Sequence, residues 1–152
     1  MNQLPIEKNI IVKRLDGIEA ELVELRILAD QQKEEFVAGP GYKLAQYHLH
    51  RALEGVFNIG SHILSRIPGT TATRYREIAE QLSQNGIVPE KFAFEKLVPM
   101  AKCRNRLVHF YAEITSDELY NILQNHLGDF EVFLSAIKKL IENPEQYNVR
   151  VE

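Results

Sequence analysis

The chain has 152 residues, which is enough to build a sizeable hydrophobic core. Hydrophobic residues make up 45% and charged residues 26%, the ordinary balance of a water-soluble globular protein. The net charge of −3 argues against non-specific coating of nucleic acid, because such proteins present a basic face. The single cysteine, Cys103, excludes an internal disulfide and favours the reducing cytoplasm. The sequence contains no run of about twenty apolar residues, so no membrane-spanning helix is predicted.

The N-terminal segment, from about Pro5 to Phe36, is predicted to form one long helix. Its apolar residues recur at alternating spacings of four and three, which places them on one helical face: Ile11, Leu15, Ile18, Leu22, Leu25 and Ala29. Gly17 costs about 1 kcal/mol of helix stability relative to alanine but is compatible with close packing. Gly39-Pro40-Gly41 then ends the helix. A coiled-coil arm is the alternative, although the run is short for one.

A second helix is predicted from about Tyr42 to Arg66. Its apolar face consists of Leu49, Leu53, Val56, Phe57, Ile63 and Leu64. A polar stripe accompanies it at the same spacing, formed by His48, Arg51, Gly55, Asn58 and His62. Such a stripe is typical of a solvated face, and the alternative is that its polar groups lie under another helix.

Two shorter helices are predicted after the loop that begins at Pro68. The first spans about Arg74 to Gln84 with Thr71 or Thr73 as its cap, and it buries Tyr75, Ile78 and Leu82. Pro89 begins the second, which covers Phe92, Phe94 and Leu97. Pro99 is predicted to kink or restart the chain.

The segment from Met100 to Glu113, M-A-K-C-R-N-R-L-V-H-F-Y-A-E, concentrates polar groups among apolar neighbours. These groups are Arg104, Asn105, Arg106, His109 and Tyr111. On a helix, Asn105 and His109 share one face, whereas Arg104 and Tyr111 share another. Either the helix ends or distorts inside the segment, or both faces line one cleft that a second copy closes. We favour the symmetric homodimer, in which the same patch faces itself.

The same groups are suited to cleaving a phosphodiester. His109 can act as general base or acid near neutral pH, and Arg104 can stabilise charge on a phosphate. Asn105 can hold a hydroxyl or a phosphate oxygen. Together they suffice for attack of a ribose 2′-OH on its own phosphate without a metal. The alternative, which spacing alone favours, is that Arg and His satisfy helix-end carbonyls and the helix dipole.

Residues 104–111, R-N-R-L-V-H-F-Y, resemble the Arg-x4-His-x-Tyr motif of HEPN-domain proteins and, more narrowly, of HepT-like ribonuclease toxins. The resemblance extends over most of the chain. It implies an all-helical homodimer that cleaves RNA without a metal or other cofactor, with Arg104 and His109 as catalytic residues. Asn105 and Arg106 are then expected to support the substrate.

The resemblance also implies a partner. HepT-like toxins pair with a minimal nucleotidyltransferase antitoxin of the MntA type, which adenylylates the motif tyrosine, here Tyr111. A phosphate ester at that position would repel incoming RNA and fill the cleft. Asn58 and His62 stand where HepT-like chains often carry polar residues beside the catalytic pair, so both are predicted to support the substrate.

The motif helix is predicted to end near Ile114, and Thr115-Ser116-Asp117-Glu118 reads as a capping box. One last helix then runs to Asn143-Pro144, with His126 as a satisfied interior or interface histidine. The tail, residues 144–152, is predicted to be loose. The expected fold is a single all-α domain over residues 1–152: an antiparallel four-helix bundle core with one or two additional short helices.

Two other functions stay open at this point. A non-catalytic HEPN module would use the same Arg and His to bind a nucleotide or a partner nucleotidyltransferase. A plain helical dimerisation domain would use the polar motif as an interface network.

Overall fold

Two long antiparallel helices, α1 (Lys8–Ala29) and α3 (Gly41–Ser65), form the centre of the fold. The computed structural model describes residues 3–109 and 113–152. Glu21 of α1 contacts His48 of α3, whereas the earlier Ile18 lies against the later Gly55, so the two helices run antiparallel. A Cβ atom at Gly55 would lie 2.6 Å from Cγ1 of Ile18, so glycine at that position lets the two helices approach closely.

The remaining described elements are also helical. They are α2 (Lys33–Ala38), α4 (Tyr75–Gln84), α5 (Glu90–Phe92), α6 (Val98–Val108), α7 (Ser116–Asn125) and α8 (Leu127–Glu142), with a π-helical segment (Ala93–Leu97) between α5 and α6 and a 3₁₀ turn (Pro144–Tyr147) near the end. The all-α prediction is confirmed. None of the described helices combines the length and hydropathy that crossing a membrane requires.

The C-terminal helices pack antiparallel to α1. Arg26 binds Glu131 at 2.6 Å, and Lys138 binds Glu19 at 2.8 Å, so later residues of α8 meet earlier residues of α1. With α6 against the opposite side of α3, helices α1, α3, α6 and the α7–α8 pair enclose one apolar core. The apolar faces predicted for α1 and α3 are buried in it, except that Ala29 is only half-buried.

The predicted long N-terminal helix is wrong, because the chain breaks between Ala29 and Lys33. The break is held from α7: the Tyr120 hydroxyl donates to the Gln31 carbonyl at 2.9 Å, and the Gln124 amide donates to the Ala29 carbonyl at 2.7 Å. These bonds satisfy carbonyls that a continuing helix would have used itself.

The predicted single last helix is also wrong, since it divides at His126. This residue has φ −123° and ψ 0°, so it ends α7 and precedes α8. Its Nδ1 lies 3.3 Å from Oδ2 of Asp129, and 44% of its side chain is exposed. The predicted capping box is confirmed, because Thr115 Oγ1 accepts from the Glu118 N–H and the Glu118 carboxylate accepts from the Thr115 N–H.

The prediction of a loose tail is wrong as well. Ile6 and Val151 form a parallel β-bridge, in which the Ile6 N–H donates to the Arg150 carbonyl at 2.7 Å. The Glu152 N–H donates back to the Ile6 carbonyl at 3.0 Å, and Val149 is buried. The residues after α8 therefore close over the start of α1.

Three smaller predictions around α4 to α6 need correction. Helix α4 begins after Arg74 without a side-chain cap, so neither threonine serves as one. Phe94 is 49% exposed rather than buried. The break expected at Pro99 is the π-helical turn just before it, whose wider ring accommodates a residue that cannot donate a backbone hydrogen bond.

Candidate active site

The motif helix ends inside the motif. Helix α6 stops at Val108, and His109 has an extended backbone with φ −108° and ψ 103°. The predicted end near Ile114 is therefore wrong, and the alternative in which the helix ends within the motif is the observed one. The predicted modification site, Tyr111, lies outside the described residues.

Arg104 is held between α3 and α4. Its Nε donates to Oε1 of Glu54 at 2.5 Å, and its guanidinium carbon lies 4.2 Å from the ring centroid of Tyr75. The ion pair fixes one edge of the guanidinium and the aromatic ring supports its face. Burial, with the nearby Glu54 carboxylate, raises the pKa of Tyr75 against the opposing charge of Arg104.

Two further side chains complete what we call the Arg104 cluster: Arg104, Glu54, Tyr75, His50 and Asn105. Nε2 of His50 lies 3.4 Å from Oε1 of Glu54. Oδ1 of Asn105 accepts from Nη1 of Arg104 at 3.4 Å. The structure therefore brings two of the predicted site residues, Arg104 and Asn105, together.

His109 faces a different pocket. This pocket, about 240 Å³ in volume, lies between His109 and Gln46 of α3 and is closed by Arg106 and Glu113. Gln46 precedes Glu54 by eight residues, or about 12 Å along α3. Arg104 is not among the described residues that line the His109 pocket. Within one chain, Arg104 therefore contacts α3 at Glu54, whereas His109 faces α3 at Gln46. These two positions on α3 are about two helical turns apart.

Arg106 connects the end of α6 to the start of α7. Its Nη1 donates to Glu118 at 2.7 Å, and its Nη2 donates to the Glu113 carbonyl at 2.8 Å. Hydrogen bonds from Arg106 and from the Thr115 backbone lower the pKa of Glu118 to about 2. This network anchors the chain on the far side of the motif, and support of the substrate by Arg106 stays a prediction.

Asn58 and His62 extend away from the motif along α3. Asn58 is exposed in a groove between α1 and α3. His62 lies about 12 Å beyond Glu54 along the helix, and its Nε2 accepts from the Glu7 N–H at 3.2 Å. Burial, followed by the charges of Arg66 and Arg14, lowers the pKa of His62. The structure does not bring His62 to the Arg104 cluster, and its support of the substrate stays a prediction.

The family model described as "Ribonuclease HepT-like" matches residues 9–137. The chain belongs to this family of HepT-like ribonucleases. The family prediction made from the motif is thus confirmed.

Three known proteins illustrate the similarity. An mRNA nuclease HepT of Shewanella oneidensis is 31% identical over 91 residues, covering 60% of this chain and 68% of that protein. A tRNA nuclease HepT of Aphanizomenon flos-aquae is 23% identical over 145 residues, covering 94% and 97%. The solved structure of a tri-AMPylated S. oneidensis HEPN toxin in complex with an MNT antitoxin has a TM-score of 0.79 at 24% identity, covering 87% of this chain and 98% of that one.

Three residues of the Arg104 cluster, Glu54, His50 and Tyr75, were not recognised as site residues in this HepT-like sequence. Glu54 stands next to the buried Leu53 and fell outside the predicted polar stripe, while Tyr75 was expected only as a core residue. The local signal for Glu54 is its spacing of four residues from His50, which puts both on one face of α3. Its pairing with Arg104 spans fifty positions of sequence, which helical periodicity does not reach.

Cys103, beside the cluster, is a packed residue. Its side chain contacts the core, and burial raises the pKa of its thiol to about 11. The thiol therefore stays protonated at neutral pH and is a poor nucleophile.

Proposed function

We propose that this HepT-like protein is a metal-independent endoribonuclease that acts in the cytoplasm as the toxin of a HepT/MntA-type toxin–antitoxin pair. The observation that carries the proposal is the immobilised motif arginine. Glu54 and Tyr75 hold the Arg104 guanidinium at one edge and one face, and Nη1 also donates to Oδ1 of Asn105 at 3.4 Å. A guanidinium held in this way can meet the charge that develops on a phosphate without reorganising.

The proposed reaction needs no nucleophile from the protein. His109 takes the proton from a ribose 2′-OH, and the 2′-oxygen attacks the adjacent phosphorus. His109 then returns that proton to the 5′-oxygen, which leaves, giving a 2′,3′-cyclic phosphate on one fragment and a 5′-OH on the other. Arg104 stabilises the phosphorane charge, and Asn105, next to it, holds a substrate oxygen.

The separation of Arg104 and His109 within one chain supports a shared site in a homodimer. A two-fold axis close to the motif helix α6 would bring one protomer's His109 toward its partner's Arg104. The active site would then consist of an arginine from one subunit and a histidine from the other.

Mixing two inactive variants tests this arrangement. We expect Arg104→Ala and His109→Ala proteins, each inactive alone, to regain about a quarter of wild-type activity after co-refolding, because half of the dimers are mixed and each holds one intact site. If each chain used its own arginine and histidine, no mixed dimer would hold an intact site. Absence of any recovered activity would contradict the shared site.

Cleavage itself is tested with RNA, a chelator and the His109→Ala variant. We expect wild-type protein to cleave RNA in excess EDTA and to leave 2′,3′-cyclic phosphate ends, and we expect His109→Ala to lose about 100-fold or more of the rate. Cleavage that EDTA abolishes, or a variant that cleaves as fast as wild type, would contradict the mechanism.

We also propose that Tyr111 is the regulatory position. Adenylylation of this residue by a minimal nucleotidyltransferase partner would add negative charge two residues after His109 in the sequence. The known toxin of similar fold is described as tri-AMPylated and bound to an MNT antitoxin, which supports this regulation. Incubation with ATP and a minimal nucleotidyltransferase of the MntA type should modify wild type and leave Tyr111→Phe unmodified, as read by intact mass.

A non-catalytic HEPN module that binds nucleotide is the second candidate, favoured by the same separation of Arg104 and His109. It predicts nucleotide binding that depends on Arg104 together with no RNA turnover in any oligomeric state. The cleavage assay on wild-type protein distinguishes the two candidates, because only the ribonuclease turns over RNA.

A further inference from the structure

An open groove of about 740 Å³ runs between α1 and α3 on the outer side of the helix pair. On α3 it extends from Tyr47 to Asn58, about 16 Å along the helix axis. Its wall includes Glu54, the residue that binds Arg104. The groove is therefore continuous with the Arg104 cluster.

The shape of the groove depends on a glycine of α1. Gly17 faces the groove, and a Cβ atom there would have no other atom within 4 Å. The close packing that the sequence suggested for Gly17 occurs at Gly55 instead. Gly17 therefore keeps the groove open rather than bringing two helices together.

The charges on the groove wall leave a positive excess. Glu21 is neutralised by Arg51 at 2.6 Å and also contacts Nδ1 of His48 at 2.6 Å, and Glu54 is neutralised by Arg104. Although burial raises the pKa of Glu21, hydrogen bonds from Arg51 and His48 hold it below its usual range. Lys13 and Arg14 have no ion-pair partner among the described residues, and both line the groove.

The groove also offers an aromatic surface. The side chain of Tyr47 is 56% exposed at one end, and the Arg51 guanidinium carbon lies 5.4 Å from its ring centroid. At the other end Asn58 presents an exposed amide. A positive groove with an exposed aromatic ring is the combination that proteins use for single-stranded nucleic acid, where bases stack and phosphates meet cations.

We propose that this groove binds the single-stranded RNA segment that flanks the scissile phosphate, with Lys13 and Arg14 contacting its phosphates and Tyr47 stacking on a base. The proposal rests on the ribonuclease function proposed above, since it places the strand on a path that reaches Arg104 through Glu54. It also explains how a chain of net charge −3 can bind RNA, because only the groove needs to be positive.

The first experiment measures binding of a fluorescent single-stranded RNA by anisotropy, in the His109→Ala background so that the RNA stays intact. We expect Lys13→Gln/Arg14→Gln to weaken binding at least tenfold at low salt. Removal of two phosphate contacts should also lower the slope of log K against log salt by about 1.4. The matched control is Lys91→Gln/Lys139→Gln, two exposed lysines outside the groove, whose binding should equal that of the parent.

The second experiment fills the groove without changing its charge. The series Gly17→Ala, Gly17→Leu and Gly17→Phe should weaken RNA binding progressively as the side chain grows. Gly128→Leu is the control, because Gly128 also lies in a helix with no atom within 4 Å of a Cβ and stands outside the groove. Circular dichroism and light scattering on every variant report folding and oligomeric state.

The outcomes separate this inference from the proposed function. If wild type cleaves RNA while both groove sets bind it like the parent, the groove proposal is wrong and the ribonuclease proposal stands. If wild type cleaves no RNA but the groove variants lose RNA binding, the ribonuclease proposal is wrong and the groove proposal stands. Dissociation of the dimer by Gly17→Leu, with unchanged RNA binding by Lys13→Gln/Arg14→Gln, would show that a second copy occupies the groove.

Discussion

Replacing Glu54 with glutamine tests whether this residue positions the motif arginine. The substitution keeps the size of the side chain but removes the charge that binds Arg104 Nε at 2.5 Å. Tyr75 would still contact one face of the guanidinium, so Arg104 would remain nearby with one constraint fewer. Glu54 contacts no reacting atom in the proposed reaction and is therefore a positioning residue.

The expected loss of stability follows from the partial burial of this pair. The side chains of Arg104 and Glu54 are 22% and 27% exposed, which places them between a surface pair and a buried one. Surface pairs contribute less than about 1 kcal/mol, while breaking a buried pair costs about 3–5 kcal/mol, so we expect about 1–2 kcal/mol. For a chain of this length that corresponds to a Tm lower by about 2–8 °C.

Glu54→Gln is also expected to lower the rate of RNA cleavage. A displacement of a catalytic group by about 1 Å can cost about 100-fold, so we expect kcat for RNA cleavage to fall about 10- to 100-fold. Glu54→Asp should recover part of kcat, because it restores the charge at a shorter reach. Gel-based cleavage of a labelled RNA measures kcat and KM, and thermal unfolding measures stability in the same samples.

Glu131→Gln provides the matched control. It breaks the 2.6 Å pair with Arg26 on the opposite side of α1, so it should lower Tm slightly and leave kcat unchanged. Wild-type kcat in Glu54→Gln, accompanied by the expected loss of Tm, would refute the positioning role and leave Glu54 a purely structural residue.

Three further predictions concern stability. The folded-state pKa of Glu118 is lowered to about 2, so its carboxylate stabilises the fold fully above its ordinary pKa of 4.5 and loses this effect as pH falls through about 2. Wild type should therefore have a higher Tm than Glu118→Gln at pH 7, and the difference should vanish as the pH is lowered from 4.5 to about 2. Gly60→Ala places a Cβ atom 2.6 Å from Cγ2 of Ile78, so it should cost about 1–3 kcal/mol in urea unfolding, and this cost should be smaller in an Ile78→Ala background, which lacks Cγ2. Val149→Ala should lower the free energy of unfolding by about 1–2 kcal/mol, whereas a loose tail would predict no change.

The sequence was sufficient for those parts of the fold that depend on local periodicity. The spacing of apolar residues located α3 and its buried face, and the Thr115–Glu118 pattern located the start of α7. The breaks at Ala29 and His126 were missed because the apolar spacing continues across both. In the first case, Tyr120 and Gln124 stabilise the break from another helix, a tertiary effect that a periodic pattern does not record.

The order of the C-terminal residues also could not be predicted from the local sequence. Residues after Pro144 carry no helical period, which is typical of loose termini. Their order comes from the bridge between Ile6 and Val151, whose partners stand at opposite ends of the sequence. Nothing in either segment alone indicates that they meet.

The candidate site, like the fold, could be predicted only in part from the sequence. The chemistry of Arg104 and His109 was evident from the motif, and their angular separation on a helix, about 140° for five residues, already required either a break or a second subunit. The structure contains the break, yet His109 still lines a pocket two helical turns from Glu54 along α3. The break alone therefore does not join the two side chains in one chain. On the shared-site proposal, Arg104 of one protomer and His109 of its partner form the active site, so a monomeric variant of this protein should bind RNA without cleaving it.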